Sequence, residues 1–143
     1  MKMTTVIDAT DTIMGRLASG IAKRLLMGEH IVVVNAERAV IVGRKEEILK
    51  SYKQTYDRGH RYMGPFYPRM PHLIFKRTVR GMLPRQTAKG KGALQHLLVH
   101  LGVPEQLKDA KLEVPEEFRA DVIKQKVVRL EDISKFLGWV PVK

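Results

Sequence analysis

The sequence feature that most constrains the fold is a strand–helix–strand pattern near the N-terminus. Thr4 to Ile7 is a short run rich in β-branched residues, which is typical of a strand. From Ile13 to Leu26 apolar residues recur with helical spacing and form one continuous stripe. Ile31 to Val34 is apolar at every position, which predicts a strand covered on both faces, as in a parallel sheet flanked by helices. The pattern therefore favours the α/β class.

A second apolar run, Val40 to Val42, follows closely after this strand. The residues between the two runs, Asn35 to Ala39, are too few for a parallel crossover, which needs about a dozen residues. Two interpretations stay open, a hairpin or one strand interrupted by a bend. After Gly43 the apolar spacing predicts a helix over about Lys45 to Tyr56.

The length of 143 residues suits one domain with its own hydrophobic core. The sequence contains no internal repeat and no low-complexity linker. We therefore predict a single domain over residues 1–143, with a core over about 4–102 and a peripheral C-terminal extension over about 103–143. A short helix from Glu131 to Leu137 is expected within this extension, ending before Gly138.

The positive charge is concentrated between Arg58 and Pro104, a stretch that contains no Asp or Glu. The chain has 26 Lys and Arg against 15 Asp and Glu, and this stretch holds nine of the eleven excess positive charges. A cationic surplus confined to one segment indicates a surface that binds a polyanion. Nucleic acid is the first partner to consider, and an anionic membrane surface is the second.

Several predicted elements carry these charges. Gly59 to Pro71 mixes Gly, Pro, aromatic residues and Arg without periodicity, which predicts an extended loop. Leu73 to Leu83 predicts an amphipathic helix whose polar face is purely cationic. Arg85 to Gly92 is interpreted as a Gly/Lys loop, followed by a helix over Ala93 to Leu98 and a strand over Val99 to Leu101.

The candidate RNA-binding residues combine cationic groups with aromatic rings. Guanidinium groups bridge phosphate oxygens and stack on bases, and rings among arginines suit irregular RNA with unpaired bases. We expect Tyr62 and Phe66 to stack on bases and the lysines and arginines to contact phosphates; packing beneath the loop is the alternative for the rings. The candidates are Arg58, His60, Arg61, Tyr62, Phe66, Arg69, Lys76, Arg77, Arg80, Arg85, Lys89 and Lys91.

Enzyme motifs with a phosphate-binding glycine loop are absent from the sequence. Gly15 and Arg16 lie near a predicted helix N-terminus; we favour close packing at Gly15 with Arg16 at the surface, and an anion docked at this helix end is the alternative. His96 and His100 have the spacing of metal ligands, but no carboxylate or cysteine lies near them in the sequence. We interpret Asp8, the best single carboxylate candidate, as a turn residue. We therefore predict no catalytic residue, no cofactor and no metal.

The chain contains no cysteine, which excludes disulfides, thiolate metal sites and cysteine nucleophiles. No apolar run approaches the roughly 20 residues that a membrane span requires. The first residues lack the apolar core of a secretory signal. We therefore expect a cytoplasmic protein without a membrane partner.

Five motifs follow one another along the chain: Asp8–Thr10, Gly15–Ser19, Val33–Glu37, Gly64–Phe66 and Lys76–Pro84. Together they resemble the universal L-thirteen family of large-subunit ribosomal proteins. The resemblance covers about Val6 to Gly102, and its most specific block is Val79 to Pro84. The Met63–Phe66 form and the Leu137–Trp139 end are similar to archaeal members.

The resemblance implies a three-layer α/β/α fold around a mainly parallel four-stranded sheet, with a basic loop and helix extension and a short C-terminal helix. It also implies a structural role in the large ribosomal subunit, with binding to large-subunit ribosomal RNA and neighbouring ribosomal proteins and support of early subunit assembly. No catalytic residue, cofactor or small-molecule substrate comes with it. Three other hypotheses stay open at this point: a nucleotide-dependent α/β enzyme, a DNA-binding architectural protein and an extra-ribosomal regulatory role.

Overall fold

A four-stranded parallel sheet lies at the centre of the computed structural model, which describes residues 4–122 and 124–141. β1 (Thr4–Asp8) pairs with β2 (His30–Val34) along its whole length, from Thr4 opposite His30 to Asp8 opposite Val34. The other two pairings, β2 with β4 (Leu97–Val99) and β1 with β5 (Leu112–Glu113), are parallel as well, which confirms the predicted sheet. In spatial order the strands are β4, β2, β1 and β5.

Five α-helices accompany the sheet in the described part of the chain. They are α1 (Met14–Leu26), α2 (Lys45–Asp57), α3 (Pro71–Met82), α4 (Ala88–Gln95) and α5 (Leu130–Phe136). The predictions for α1, α2, α3 and α5 are confirmed to within two residues at each end. α3 begins earlier than predicted because Pro71 occupies its first turn, where a missing N–H has no consequence.

Both faces of the sheet are covered, which confirms the predicted α/β class and the two-sided burial of β2. Ile31 and Val33 belong to the main core, together with the apolar stripes of α1, α3 and α5. Val32 and Val34 face the other way and pack against a segment of irregular chain, residues 103–112. This second outer layer contains a 3-10 turn, Glu105–Leu107, in place of a long helix.

The strand β3 (Val40–Val42) lies outside the central sheet, so both interpretations of its link to β2 are wrong. After Asn35, which has a left-handed backbone (φ 56), a 3-10 turn over Ala36–Arg38 redirects the chain. β3 then pairs antiparallel with β6 (Val127–Arg129), far along the sequence. Local spacing cannot indicate such a distant partner.

The region after α3 was predicted with the wrong boundaries. α4 begins at Ala88, inside the predicted Gly/Lys loop, and the following strand is Leu97–Val99 instead of Val99 to Leu101. The Thr87 hydroxyl accepts a hydrogen bond from the Gly90 N–H at 3.2 Å and caps the helix. A Cβ at Gly90 would clash with the Pro84 carbonyl, so glycine here permits close packing between α4 and the end of α3.

The C-terminal segment is more closely integrated than the predicted peripheral extension. β5 belongs to the central sheet, and Leu130 and Ile133 of α5 are fully buried in the main core. The sequence pattern of α5 is too short to show what this helix packs against. Assignment of residues 1–143 to a single domain stays a prediction; residues 1–3, 123, 142 and 143 lie outside the described residues.

The burial of α5 predicts that truncating its inner face destabilises the protein. Ile133→Ala should lower the free energy of unfolding by about 2–5 kcal/mol, because it leaves a cavity in the core. Phe136→Ala, a control on the half-exposed face of the same helix, should lower it by about 1 kcal/mol or less. Urea unfolding measures both, and equal effects would contradict the placement of α5 in the core.

Candidate nucleic-acid interface

The candidate RNA-binding residues lie on neighbouring segments of the structure, and we call the surface that these segments form the cationic side. It consists of the loop over residues 58–70, the outer face of α3, and α4 with the turn that precedes it. α3 and α4 both contact β4, which forms one edge of the central sheet. The opposite edge is formed by β5, so the fold separates the cationic side from that edge by the width of the sheet.

A tight turn shapes the tip of the loop. The His60 N–H donates to the Gly64 carbonyl at 2.8 Å, and the Gly64 N–H donates to the His60 carbonyl at 2.9 Å. Gly59 has φ +104, and a Cβ there would clash with Gly64. The turn leaves Tyr62 77% exposed and Phe66 68% exposed, so both rings predicted to stack on bases are accessible.

The base of the loop is held by two arginines that were predicted as RNA contacts. The Arg77 guanidinium lies 4.9 Å from the centroid of the Tyr67 ring, and its Nη1 donates to the Phe66 carbonyl at 3.0 Å. Arg69 lies 5.4 Å from the centroid of the Tyr56 ring. Burial raises the pKa of Tyr67, and the Arg77 charge opposes this shift only in part. These contacts give Arg77 and Arg69 a structural role, and packing under the loop is confirmed for Tyr67.

The predicted cationic face of α3 is half-buried. Lys76 Nζ donates to the Leu97 carbonyl at 3.1 Å and so ties α3 to the edge strand β4. Arg80 Nε is buried, and the described residues offer it no hydrogen-bond partner. A helical wheel identifies the face but not the segments that pack onto it.

The cations of this side are not neutralised by the protein itself. Within residues 4–122 and 124–141, none of the candidate lysines and arginines lies within ion-pair distance of a carboxylate. Elsewhere arginines are paired, as Arg24 is with Glu29 at 2.9 Å and with Glu113 at 3.1 Å. Arg85, Lys89 and Lys91 are exposed. The charge surplus of the sequence is therefore available to an external polyanion.

Two depressions meet on this side and form one groove, which we call the α3–α4 groove. The first has a volume of about 320 Å³ and the second about 220 Å³, and both are bordered by Arg80 and Leu94. The walls mix cations with apolar side chains and include no carboxylate. The first depression is lined by Phe66, Pro68, Leu73, Lys76, Arg77, Arg80 and Leu94, and the second by Arg80, Leu83, Arg85, Gly90, Lys91 and Leu94.

Asp8 has the surroundings of a turn residue, in agreement with its interpretation. Its carboxylate accepts hydrogen bonds from the Thr10 N–H at 3.0 Å, the Thr10 hydroxyl at 2.6 Å and the Asn35 side-chain amide at 3.0 Å. Burial by itself would raise the pKa of Asp8, but these hydrogen bonds outweigh it and hold the pKa below its usual value. The ionised carboxylate thus joins the end of β1 to the end of β2.

Two further candidates have different surroundings from those expected. No atom lies within 4 Å of a Cβ built at Gly15, so the close-packing interpretation of this glycine is wrong. The alternative interpretation, an anion docked at this helix end, is untested. His96 stacks on His30, with ring centroids 4.1 Å apart. In the part of the chain that the structure describes, no group of three or more His, Cys, Asp or Glu is placed to hold a metal ion.

None of the described helices is long and apolar enough to cross a membrane.

A parallel α/β core that presents a cationic side without carboxylate partners among the described residues fits the class of nucleic-acid-binding proteins. Comparison with known proteins agrees. The family described as ribosomal protein L13 matches residues 2–106. The chain therefore belongs to the ribosomal protein L13 family.

Curated relatives named large ribosomal subunit protein uL13 support the same assignment. The protein of Archaeoglobus fulgidus is 50% identical over 137 residues, which cover 94% of this chain and 88% of the relative. Those of Methanopyrus kandleri and Methanosarcina barkeri are each 44% identical, covering 94% of this chain and 87% and 97% of the relative. The resemblance seen in the sequence, including its archaeal character, is confirmed. The role is structural and not enzymatic, and the enzyme and DNA-binding hypotheses are not supported.

The contacts of Arg77 predict that it protects the loop. Arg77→Lys keeps the charge but loses the planar group that contacts Tyr67 and the Phe66 carbonyl. Trypsin should then cleave within residues 58–70 about fivefold faster, the effect of losing about 1 kcal/mol of anchoring. Arg85→Lys, a control at an exposed site, should leave this rate unchanged. Equal cleavage rates for the two variants would show that Arg77 does not hold the loop.

Proposed function

We propose that the protein binds large-subunit ribosomal RNA through its cationic side, as a structural constituent of the large ribosomal subunit. The observation that carries this proposal is the lack of ion pairs between the candidate cations and carboxylates among the described residues. RNA phosphates are the counter-charges that such a surface requires. Family membership supplies the context, since the relatives are named as proteins of the large ribosomal subunit.

The candidate residues divide into two groups in this proposal. Arg85, Lys89 and Lys91, which are exposed, neutralise backbone phosphates directly, as do Arg58 and Arg61 of the loop, where the His60 ring contacts the RNA beside them. Tyr62 and Phe66 project from the loop and stack on unpaired bases. Lys76, Arg77 and Arg69 act in a second way, because their contacts hold α3 and the loop in the geometry that presents the first group.

The opposite edge of the sheet supports this orientation on the RNA. Glu116 and Glu117 are exposed just after β5, and their carboxylates repel phosphates. The cationic side therefore faces the RNA, and the β5 edge faces away from it or towards neighbouring ribosomal proteins. We further propose a cytoplasmic location on the ribosome and a role in early subunit assembly, in which the protein neutralises phosphates where RNA helices approach each other.

The salt dependence of RNA binding tests the direct contacts. Replacing Arg85, Lys89 and Lys91 by Gln should reduce the slope of log K against log salt by about 2 to 3, because about 0.7–0.9 is lost for each phosphate contact. Filter binding of in vitro transcribed large-subunit rRNA between low and high salt measures the slope. Thermal unfolding checks that the variant keeps its fold.

A matched variant controls for net charge. Replacing Lys108, Lys111 and Lys124 by Gln removes the same number of exposed positive charges outside the cationic side and should leave the slope nearly unchanged. If both triple variants lowered the slope equally, binding would follow overall charge, and the assignment of the cationic side would be wrong.

A further inference from the structure

We infer that the α3–α4 groove holds a single unpaired nucleotide of the RNA, with its base in the first depression and its phosphate at the second. This inference rests on the proposed function and specifies the kind of RNA element that the cationic side recognises. The base would lie between Phe66 and Leu73, and the phosphate beside Arg85 and Lys91.

The shape of the groove suits a nucleotide better than a duplex. Its first depression, about 320 Å³, has the size of a pocket for a small molecule, which ranges over about 300–1,000 Å³. The backbone of paired RNA needs only exposed cations and has no group that fills an apolar hollow. An unpaired base has two apolar faces and a polar edge, and Phe66 and Leu73 offer exposed apolar surface at the mouth.

Two of the three cations that border the first depression, Lys76 and Arg77, are already held in place. Lys76 is fixed by the Leu97 carbonyl, and Arg77 by the Phe66 carbonyl and the Tyr67 ring. A planar guanidinium with a fixed orientation can stack on a base or donate to its edge. Because these side chains are ordered before binding, little conformational entropy is lost when the nucleotide enters.

Arg80 joins the two depressions and has an unused donor. Its Nε is buried, and no acceptor among the described residues contacts it. A buried donor without an acceptor is unfavourable, so a small rotation of the guanidinium towards an incoming phosphate or base oxygen would be stabilising. Arg80 borders both depressions, which places this donor where the base and the phosphate of one nucleotide meet.

A groove-filling variant separates this inference from general phosphate binding. Leu73→Trp enlarges an exposed side chain at the mouth of the first depression and changes no charge. Phe66→Ala removes the ring on the other wall. Each variant should weaken binding of in vitro transcribed large-subunit rRNA by about tenfold, which is the effect of one lost stacking contact. The slope of log K against log salt should equal that of the unsubstituted protein.

Chemical probing of the same RNA identifies the nucleotide. Dimethyl sulfate modification and 2′-hydroxyl acylation should show at least one unpaired nucleotide protected by the original protein and exposed again with Leu73→Trp and with Phe66→Ala. Met27→Trp adds the same side chain at a site that is 66% exposed and outside the groove, and it should protect this nucleotide fully. Circular dichroism verifies the fold of each variant.

The possible outcomes are distinct for the two proposals. Unchanged protection and affinity with Leu73→Trp and Phe66→Ala, together with a normal salt slope, would overturn the nucleotide site and leave RNA binding by the cationic side intact. Protection confined to paired regions would do the same, and would point to an acidic protein segment as the occupant of the groove. Absence of salt-dependent binding by the original protein would overturn both proposals.

Discussion

The parallel pairing of β1 with β2 is the constraint on which the rest of the structure depends. Parallel neighbours require a crossover, and α1 supplies it while covering one face of the sheet. β4 extends the same parallel sheet beyond β2, and α3 packs against both α1 and β4. The outward face of α3 therefore lies at one edge of the sheet, together with α4 and the loop over residues 58–70. The pairing of two core strands thus determines where the cations are gathered.

The lysines and arginines of the cationic side have different roles. Lys76 and Arg77 donate to main-chain carbonyls of β4 and of the loop, so they stabilise the shape of the surface. Arg85, Lys89 and Lys91 are exposed and free of carboxylates among the described residues, so their charge is available to RNA. The acid-free segment of the sequence predicts the surface as a whole. It does not distinguish the basic residues that are free to contact phosphates from those that donate to main-chain carbonyls.

Periodicity and β-branched runs predicted β1, β2, α1, α2, α3 and α5, because each of these elements is specified by its own residues. The pairing of β3 with β6 was not predictable, since the partner strands are far apart in the chain. α4 was mistaken for a loop because its Gly and Lys composition hides a helix that is specified by the Thr87 cap and by packing of Gly90 on Pro84. For the site, charge patterning indicated which segments carry the unpaired cations, whereas the half-buried state of Lys76 and Arg77 depends on acceptors in Leu97 and Phe66 that no local pattern reveals.

The most direct test of the central claim is sedimentation of a lysate from the native host through sucrose gradients at low and at moderately high salt, with this protein followed by immunoblotting. A structural constituent should migrate with the large ribosomal subunit at low and at moderately high salt, and should be released only as the salt concentration is raised further, because each phosphate contact weakens with salt. Migration at the top of the gradient at every salt concentration would contradict the claim that the cationic side holds this protein on the large-subunit RNA.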